Sequence, residues 1–242
     1  MLYPGERIDE IGFSDLKLIQ KPDEFCYGVD AVILADFASR KKASKIVDLG
    51  TGTGIVPIIL SHKTNAEFIY GIEYQRDSFE RALRNVELNN LEGRLGFINA
   101  NVAEFDGLKE WADAVTTNPP YMVSNGAITN DNSAKTIARH ETVGNLDDFV
   151  RCASGILKNR GDFYMVHRPS RLVDIFVSCR KYRLEPKEIR FVAPRKGERP
   201  NIVLIHCVKN GGAELKILDD LYVYEEPGIY SEEIQCIYER IK

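Results

Sequence analysis

Lys45-Ile-Val-Asp48-Leu-Gly50-Thr-Gly52-Thr-Gly54-Ile-Val-Pro57-Ile-Ile-Leu60 decides how this chain folds. Ile46, Val47 and Leu49 form a short apolar, mostly β-branched run, as a buried parallel strand requires. Three glycines follow at alternate positions. From Ile55 the apolar run continues as a helix, with Pro57 in its first turn, where a missing N–H costs little. A strand that turns through glycines into a helix is a ligand-binding corner. The backbone can pass close under a ligand there, and the helix start offers free N–H groups.

The acid in this corner selects the ligand. A dinucleotide fingerprint, Gly-x-Gly-x-x-Gly, would need its third glycine where Ile55 stands. Asp48, just before the first glycine, would also repel a pyrophosphate. S-adenosylmethionine (AdoMet) carries a sulfonium and an ammonium, and an acid suits both. A second acid, Glu73, ends the next apolar run, Phe68-Ile-Tyr-Gly-Ile72. It lies about 20 residues past the loop, the spacing at which a carboxylate accepts from two ribose hydroxyls.

Composition bounds the rest. The 242 residues are 44% hydrophobic and 28% charged, an ordinary globular balance with room for one α/β domain. The expected layout is a single domain over 1–242. Residues 1–44 give a hairpin and helix, 45–210 the AdoMet-binding core and 211–242 a C-terminal extension. There is no apolar leader and no apolar run long enough to span a bilayer, so a cytoplasmic protein without membrane attachment is expected. Five scattered cysteines, without metal-ligand spacing, read as reduced core residues. At a net charge of −4, any nucleic-acid contact must come from a local basic patch.

Taken in order, the chain opens with a strand over Leu16–Gln20. Asp30 reads as the cap of a helix from Ala31 to about Arg40. After the central corner come a helix over Gln75–Asn90, a strand over Leu95–Ala100, a short helix over Ala103–Lys109 and a strand over Ala112–Thr117. Met122–Thr142 is polar and aperiodic, long for a loop in a compact domain. A helix over Leu146–Leu157 with Asn145 as cap follows, then a strand over Gly161–His167 and a helix over Pro169–Lys181. Two strands, Ile189–Ala193 and Ile202–Lys209, come close together. Leu215–Glu225 reads as a hairpin extension and Ser231–Arg240 as a last helix. Alternating strands and helices predict a doubly wound, seven-stranded, mostly parallel Rossmann-like sheet whose last strand returns antiparallel, preceded by a short N-terminal hairpin.

The second motif is Asn118-Pro119-Pro120-Tyr121, placed where the Ala112–Thr117 strand ends. In an open α/β sheet that is the ligand crevice, beside the glycine loop. The prolines stiffen the backbone and leave carbonyls free. The Asn118 amide oxygen and the Pro119 carbonyl can together take both hydrogens of a planar amino group. That bends the nitrogen toward tetrahedral and localises its lone pair. Tyr121 offers a ring on which a base can stack.

Asp48-Leu-Gly-Thr-Gly-Thr-Gly54, Glu73 and Asn118-Pro-Pro-Tyr121, in this order, resemble the class I AdoMet-dependent amino-methyltransferases, which act on adenine N6, guanine N2 or glutamine side chains. Phe25-x-Tyr27-Gly28-Val29-Asp30-Ala31-Val32, Ala138-Arg139-His140-Glu141 and Arg195-Lys196-Gly197 are similar to the bacterial tRNA(Val) adenine-N6 methyltransferases. This resemblance implies a cofactor site of Tyr27, Gly28, Asp30, Asp48, Gly50, Thr51, Gly52, Gly54, Glu73, Tyr74, Asn101 and Val102. Asn118, Pro119, Pro120 and Tyr121 would be catalytic, and no metal is implied. Two positions depart from the pattern: Asn101 stands where an acid is usual, and Val29 where a threonine is. A flipped adenine would stack on Tyr121 and its N6 would attack the AdoMet methyl in line, giving S-adenosylhomocysteine. RNA, most simply tRNA near its anticodon, would contact Arg139, His140 and the basic loop Arg195, Lys196 and Arg199, with Arg168, Arg171, Arg180, Lys181 and Arg183 as further candidates. No obligate protein partner is evident, and the oligomeric state is open. A protein glutamine methyltransferase, an rRNA guanine-N2 methyltransferase and a non-catalytic AdoMet- or nucleotide-binding module stand as alternatives. Only about 44 residues precede the core, too few for the helical partner-binding domain that glutamine methyltransferases usually carry.

Overall fold

Strand β3 (Lys45–Leu49) stands at the turning point of the sheet, with α1 (Val29–Ser39) before it and α2 (Ile55–Lys63) after it. The computed structural model describes residues 2–24, 26–120 and 144–240. The chain winds outward from β3 through β4 (Phe68–Glu73), α3 (Arg76–Leu88) and β5 (Leu95–Asn99). It then returns to the other side of β3 as β6 (Ala112–Thr117), and continues through α4 (Leu146–Ile156) to β7 (Leu157–His167). A 3₁₀ turn at Pro169–Arg171 leads into α5 (Leu172–Lys181), then β8 (Leu184–Ala193) and β9 (Ile202–Lys209). Ahead of all this, β1 (Arg7–Glu10) and β2 (Lys17–Gln20) form the expected antiparallel hairpin.

The sheet order is β5-β4-β3-β6-β7-β9-β8-β10, where β10 is Lys216–Tyr222. β9 runs antiparallel to both β7 and β8, and every other pairing is parallel. The winding direction reverses between β3 and β6, which opens a crevice at their carboxyl ends. The alternation of strand side chains divides the core. Ile46 faces α1 and α2, whereas Val47 and Leu49 face α4 and α5.

Four local expectations change. The doubly wound sheet has its seven predicted strands plus an eighth. Lys216–Tyr222 does not form a hairpin extension but pairs parallel with the outer edge of β8. Both edges of β9 are already held by β7 and β8, so the chain leaving β9 cannot fold back onto it. Only the next pieces, β11 (Tyr224–Glu226) and β12 (Ile229–Tyr230), make a small hairpin, ahead of α6 (Glu232–Ile237). The helix expected over Ala103–Lys109 is a series of turns. Leu108 and Glu110 take φ of 53° and 49°, and the left-handed region cannot propagate a helix. Gly28, with extended backbone, is the N-cap of α1, and Asp30 sits in its first turn, accepting from Ala31 N at 3.2 Å. Asn145 caps α4 as expected, through a reciprocal capping box with Asp148. Among the described residues no helix is long and apolar enough to cross a membrane.

Candidate active site

The glycine loop hangs from the end of β4. Gly50 N and Thr51 N both donate to the Ile72 carbonyl, at 2.9 and 3.1 Å. Gly54 has φ of 85° and is the N-cap of α2. A Cβ there would meet the Phe97 ring at 2.7 Å, so glycine is required on two counts. Gly52, at φ 58°, differs: a Cβ added to it would meet nothing within 4 Å. That face of the loop opens onto the crevice, where a ligand could lie against bare backbone.

Two carboxylates flank the opening. Glu73 is 5% exposed, and its oxygens accept from Gly52 N at 2.8 Å and Gln75 N at 2.7 Å. Asp48, 2% exposed, accepts from Thr116 Oγ1 at 2.7 Å. Among the described residues neither acid forms an ion pair. Burial pushes the Asp48 carboxyl up to about 7; the Thr116 and nearby Thr51 hydroxyls oppose this, and the Glu73 charge adds to it. Burial also raises Glu73, against the pull of its backbone N–H partners. Among the described residues, Thr51 Oγ1 is buried near Asp48 without a partner at full hydrogen-bond geometry. Two desolvated acids with only neutral partners, a buried hydroxyl and an open glycine face fit a ligand that brings cationic groups and hydroxyls. AdoMet has both.

The Asp48 environment fixes a pH dependence. A carboxyl raised in the folded state holds its proton more tightly than the unfolded chain does. Its stabilising contribution is therefore full below about pH 4 and is lost as the pH rises through about 7. Asp48→Asn keeps an acceptor for the Thr116 hydroxyl and removes the ionisation. Urea unfolding from about pH 5 to about pH 9 should show wild-type stability falling toward the alkaline end and a shallower fall in the variant. Equal slopes would contradict this assignment.

β6 is locked beside the loop by two hydroxyls. Thr116 reaches Asp48, and Thr117 Oγ1 donates to the Leu49 carbonyl at 2.9 Å, in register with the pairings Asp48↔Thr116 and Leu49↔Thr117. Both threonines are fully buried. They were not singled out in the sequence, although their place directly before Asn118 was a signal. The clamp delivers Asn118 (half-buried), Pro119 (buried) and Pro120 (half-buried) to the crevice beside the glycine loop. His167, 3% exposed, ends β7 two residues past Met165, the partner of Thr117. Burial first, then Arg171, lowers its imidazole to about 4, and its Nδ1 accepts from Arg168 N at 2.8 Å. A neutral ring therefore stands on this edge of the sheet. A histidine that ends an apolar strand was the available signal.

The other expected site residues divide. α1 runs back to β3 through residues 40–44, so its start, with Tyr27, Gly28 and Asp30, lies toward the same carboxyl edge as the loop. Tyr74 follows Glu73 and is 42% exposed. The Asn101 side-chain oxygen accepts from Ala103 N at 3.0 Å, and the Val102 side chain is packed in the core. The loop joining β8 to β9 lies at this edge too, farther along the sheet. In it Lys196 and Arg199 are exposed, while Arg195 pairs with Glu198. Tyr121, Arg139, His140 and Glu141 lie outside the described residues.

Sheet order, switch point and acid-flanked glycine loop together define a class I methyltransferase. More particularly, residues 16–175 match the methyltransferase small domain family, and the chain belongs to it. Among relatives, the tRNA1(Val) (adenine(37)-N6)-methyltransferase of Phocaeicola vulgatus is 25% identical over 206 residues, covering 85% of this chain and 86% of that one. The protein of the same name from Parabacteroides distasonis is 26% identical over 216 residues, covering 87% of each. The crystal structure of a predicted O-methyltransferase from Agrobacterium tumefaciens superposes with a TM-score of 0.69 at 23% identity, over 87% of this chain and 95% of the other. TYW2 from M. jannaschii, solved in complex with AdoMet, gives 0.59 at 16% identity, over 86% and 89%.

Proposed function

We propose that this chain methylates the N6 amino group of an adenine in RNA, with AdoMet as donor and a tRNA as the natural acceptor. The observation that carries the reading is the clamp. Thr116 and Thr117 tie the end of β6, which Asn118 and Pro119 follow, to a glycine corner with two buried acids, and this supports reading the two residues as an acceptor pair. The relatives' names and the Asn-Pro-Pro-Tyr motif support adenine in tRNA over guanine or glutamine.

AdoMet, when bound, supplies a methyl group made electrophilic by its sulfonium. The chain does the rest by placement. Glu73 would hold the ribose hydroxyls with the lone pairs its backbone partners leave free. Asp48 and the open face at Gly52 would hold the cationic end. The Asn118 amide oxygen and the Pro119 carbonyl would each accept one hydrogen of the target amino group, turning its lone pair toward the methyl. Tyr121 would stack on the base and fix its plane. The acceptor class is tested by transfer of labelled methyl from AdoMet to total RNA and to total protein. Label in RNA is expected; label confined to protein would favour a glutamine acceptor.

Lys196 and Arg199 are the proposed phosphate contacts. They are exposed on a loop at the catalytic edge of the sheet, whereas Arg180 and Lys181 are engaged by Glu185 and Asp147. Lys196→Glu combined with Arg199→Glu should weaken tRNA binding and flatten its log–log salt dependence by about two units, one per lost contact. AdoMet affinity should not change. An unaltered salt slope would remove this loop from the RNA surface.

A further inference from the structure

Strand β2 has β1 on one edge. Its other edge is closed by two side chains of α3. Asn89 Oδ1 accepts from Lys17 N and its Nδ2 donates to Lys17 O, both at 2.8 Å. Asn85 Oδ1 accepts from Ile19 N at 2.6 Å and its Nδ2 reaches Ile19 O at 3.5 Å. The spacing explains the match: residues four apart on one helix face lie about as far apart as alternate residues of a strand. The two amides thus act as a substitute strand.

Asn85 does one thing more. Its Nδ2 also donates to the Thr53 carbonyl, inside the glycine loop, at 2.9 Å. It is 0% exposed and directly ties two separate parts of the chain, β2 and the glycine loop, to α3. The connection continues. Gln20, next to Ile19 and 5% exposed, accepts from Tyr27 N through Oε1 at 3.2 Å and donates through Nε2 to Asp9 at 2.6 Å. A path of hydrogen bonds and one peptide link therefore runs from Thr53 through Asn85, Ile19 and Gln20 to Tyr27, at the start of α1.

We infer that Asn85 is a positioning residue which sets the glycine loop against the N-terminal hairpin and the Tyr27–Asp30 segment, so that the hairpin is part of the cofactor site's alignment and not only a cover over α3. The inference rests on the reading of the glycine loop as the AdoMet site. Asn89 supplies the internal control, because it clasps the same strand but makes no bond to the loop.

The test compares Asn85→Ser with Asn89→Ser, measuring AdoMet affinity by calorimetry well below each variant's melting temperature. Both should melt earlier than wild type. Only Asn85→Ser should weaken AdoMet, by between about 5- and 150-fold, the usual range for coupled sites. Asn85→Asp covers the case of a variant that does not fold. It is isosteric and keeps the acceptor for Ile19 N, but sets a carboxylate oxygen against the Thr53 carbonyl, and it should weaken AdoMet likewise. Gln20→Ala should weaken AdoMet at the far end of the path, and less than additively when combined with the Asn85 change. Equal AdoMet affinities in the Asn85 and Asn89 variants would overturn the inference. A wild-type protein that does not bind AdoMet would instead sink the cofactor reading beneath it.

Discussion

Asn118→Ala should lower the single-turnover rate of methyl transfer on the order of 10²–10³-fold, the usual cost of removing one well-placed polar contact to a transition state. The variant loses one of the two acceptors that bend the target amino group. The Pro119 carbonyl remains, but one amino hydrogen then has no partner in a desolvated crevice. AdoMet affinity should stay close to wild type, because Asp48, Glu73 and the glycine loop are carried by β3 and β4, whereas Asn118 follows β6. Asn118→Asp should keep more activity than Asn118→Ala, since a carboxylate oxygen also accepts. Rapid-quench measurement at saturating AdoMet separates the two steps. A near-normal rate in the alanine variant would remove the proposed mechanism and leave the fold untouched.

Glu73→Ala should give the opposite split. Hydrogen bonds to a charged group contribute about 1.5–3 kcal/mol each. Two ribose hydroxyls without their acceptor should therefore cost AdoMet on the order of 10²-fold or more in affinity. Part of the loss is indirect. Glu73 also receives Gly52 N and Gln75 N, so its removal frees the loop at the point where its face is open. Glu73→Gln keeps a single acceptor and places an amino group against a backbone donor. It should fall between wild type and alanine. Titration calorimetry of the two variants checks the order, and an unchanged affinity in Glu73→Ala would withdraw this residue from the cofactor site.

The glycine corner and the end of β6 at Asn-Pro-Pro were legible in the sequence because each is a local pattern of neighbouring residues. The strand–loop–helix step at Lys45–Leu60 is found as read, and so is the cap at Asn145. What the sequence hid depends on partners distant in the chain. Lys216–Tyr222 carries strand character, but its parallel pairing with β8 follows from the occupied edges of β9. The roles of Thr116, Thr117 and Asn85 are hydrogen bonds between segments far apart in the chain, and no periodicity announces them. Asp30 looked like a cap by residue type, yet the extended backbone at Gly28 starts α1 before it. Over residues 103–109 helix-compatible composition was overruled by a left-handed backbone at Leu108.

In the proposed mechanism this crevice places an adenine amino group before the AdoMet methyl. The most direct measurement is to incubate unmodified tRNA with the enzyme and isotopically labelled AdoMet, digest the product to nucleosides and identify the methylated species by mass spectrometry. Wild-type enzyme should yield labelled N6-methyladenosine, and Asn118→Ala almost none over the same interval. Labelled N2-methylguanosine, or N6-methyladenosine formed equally by both enzymes, would contradict it.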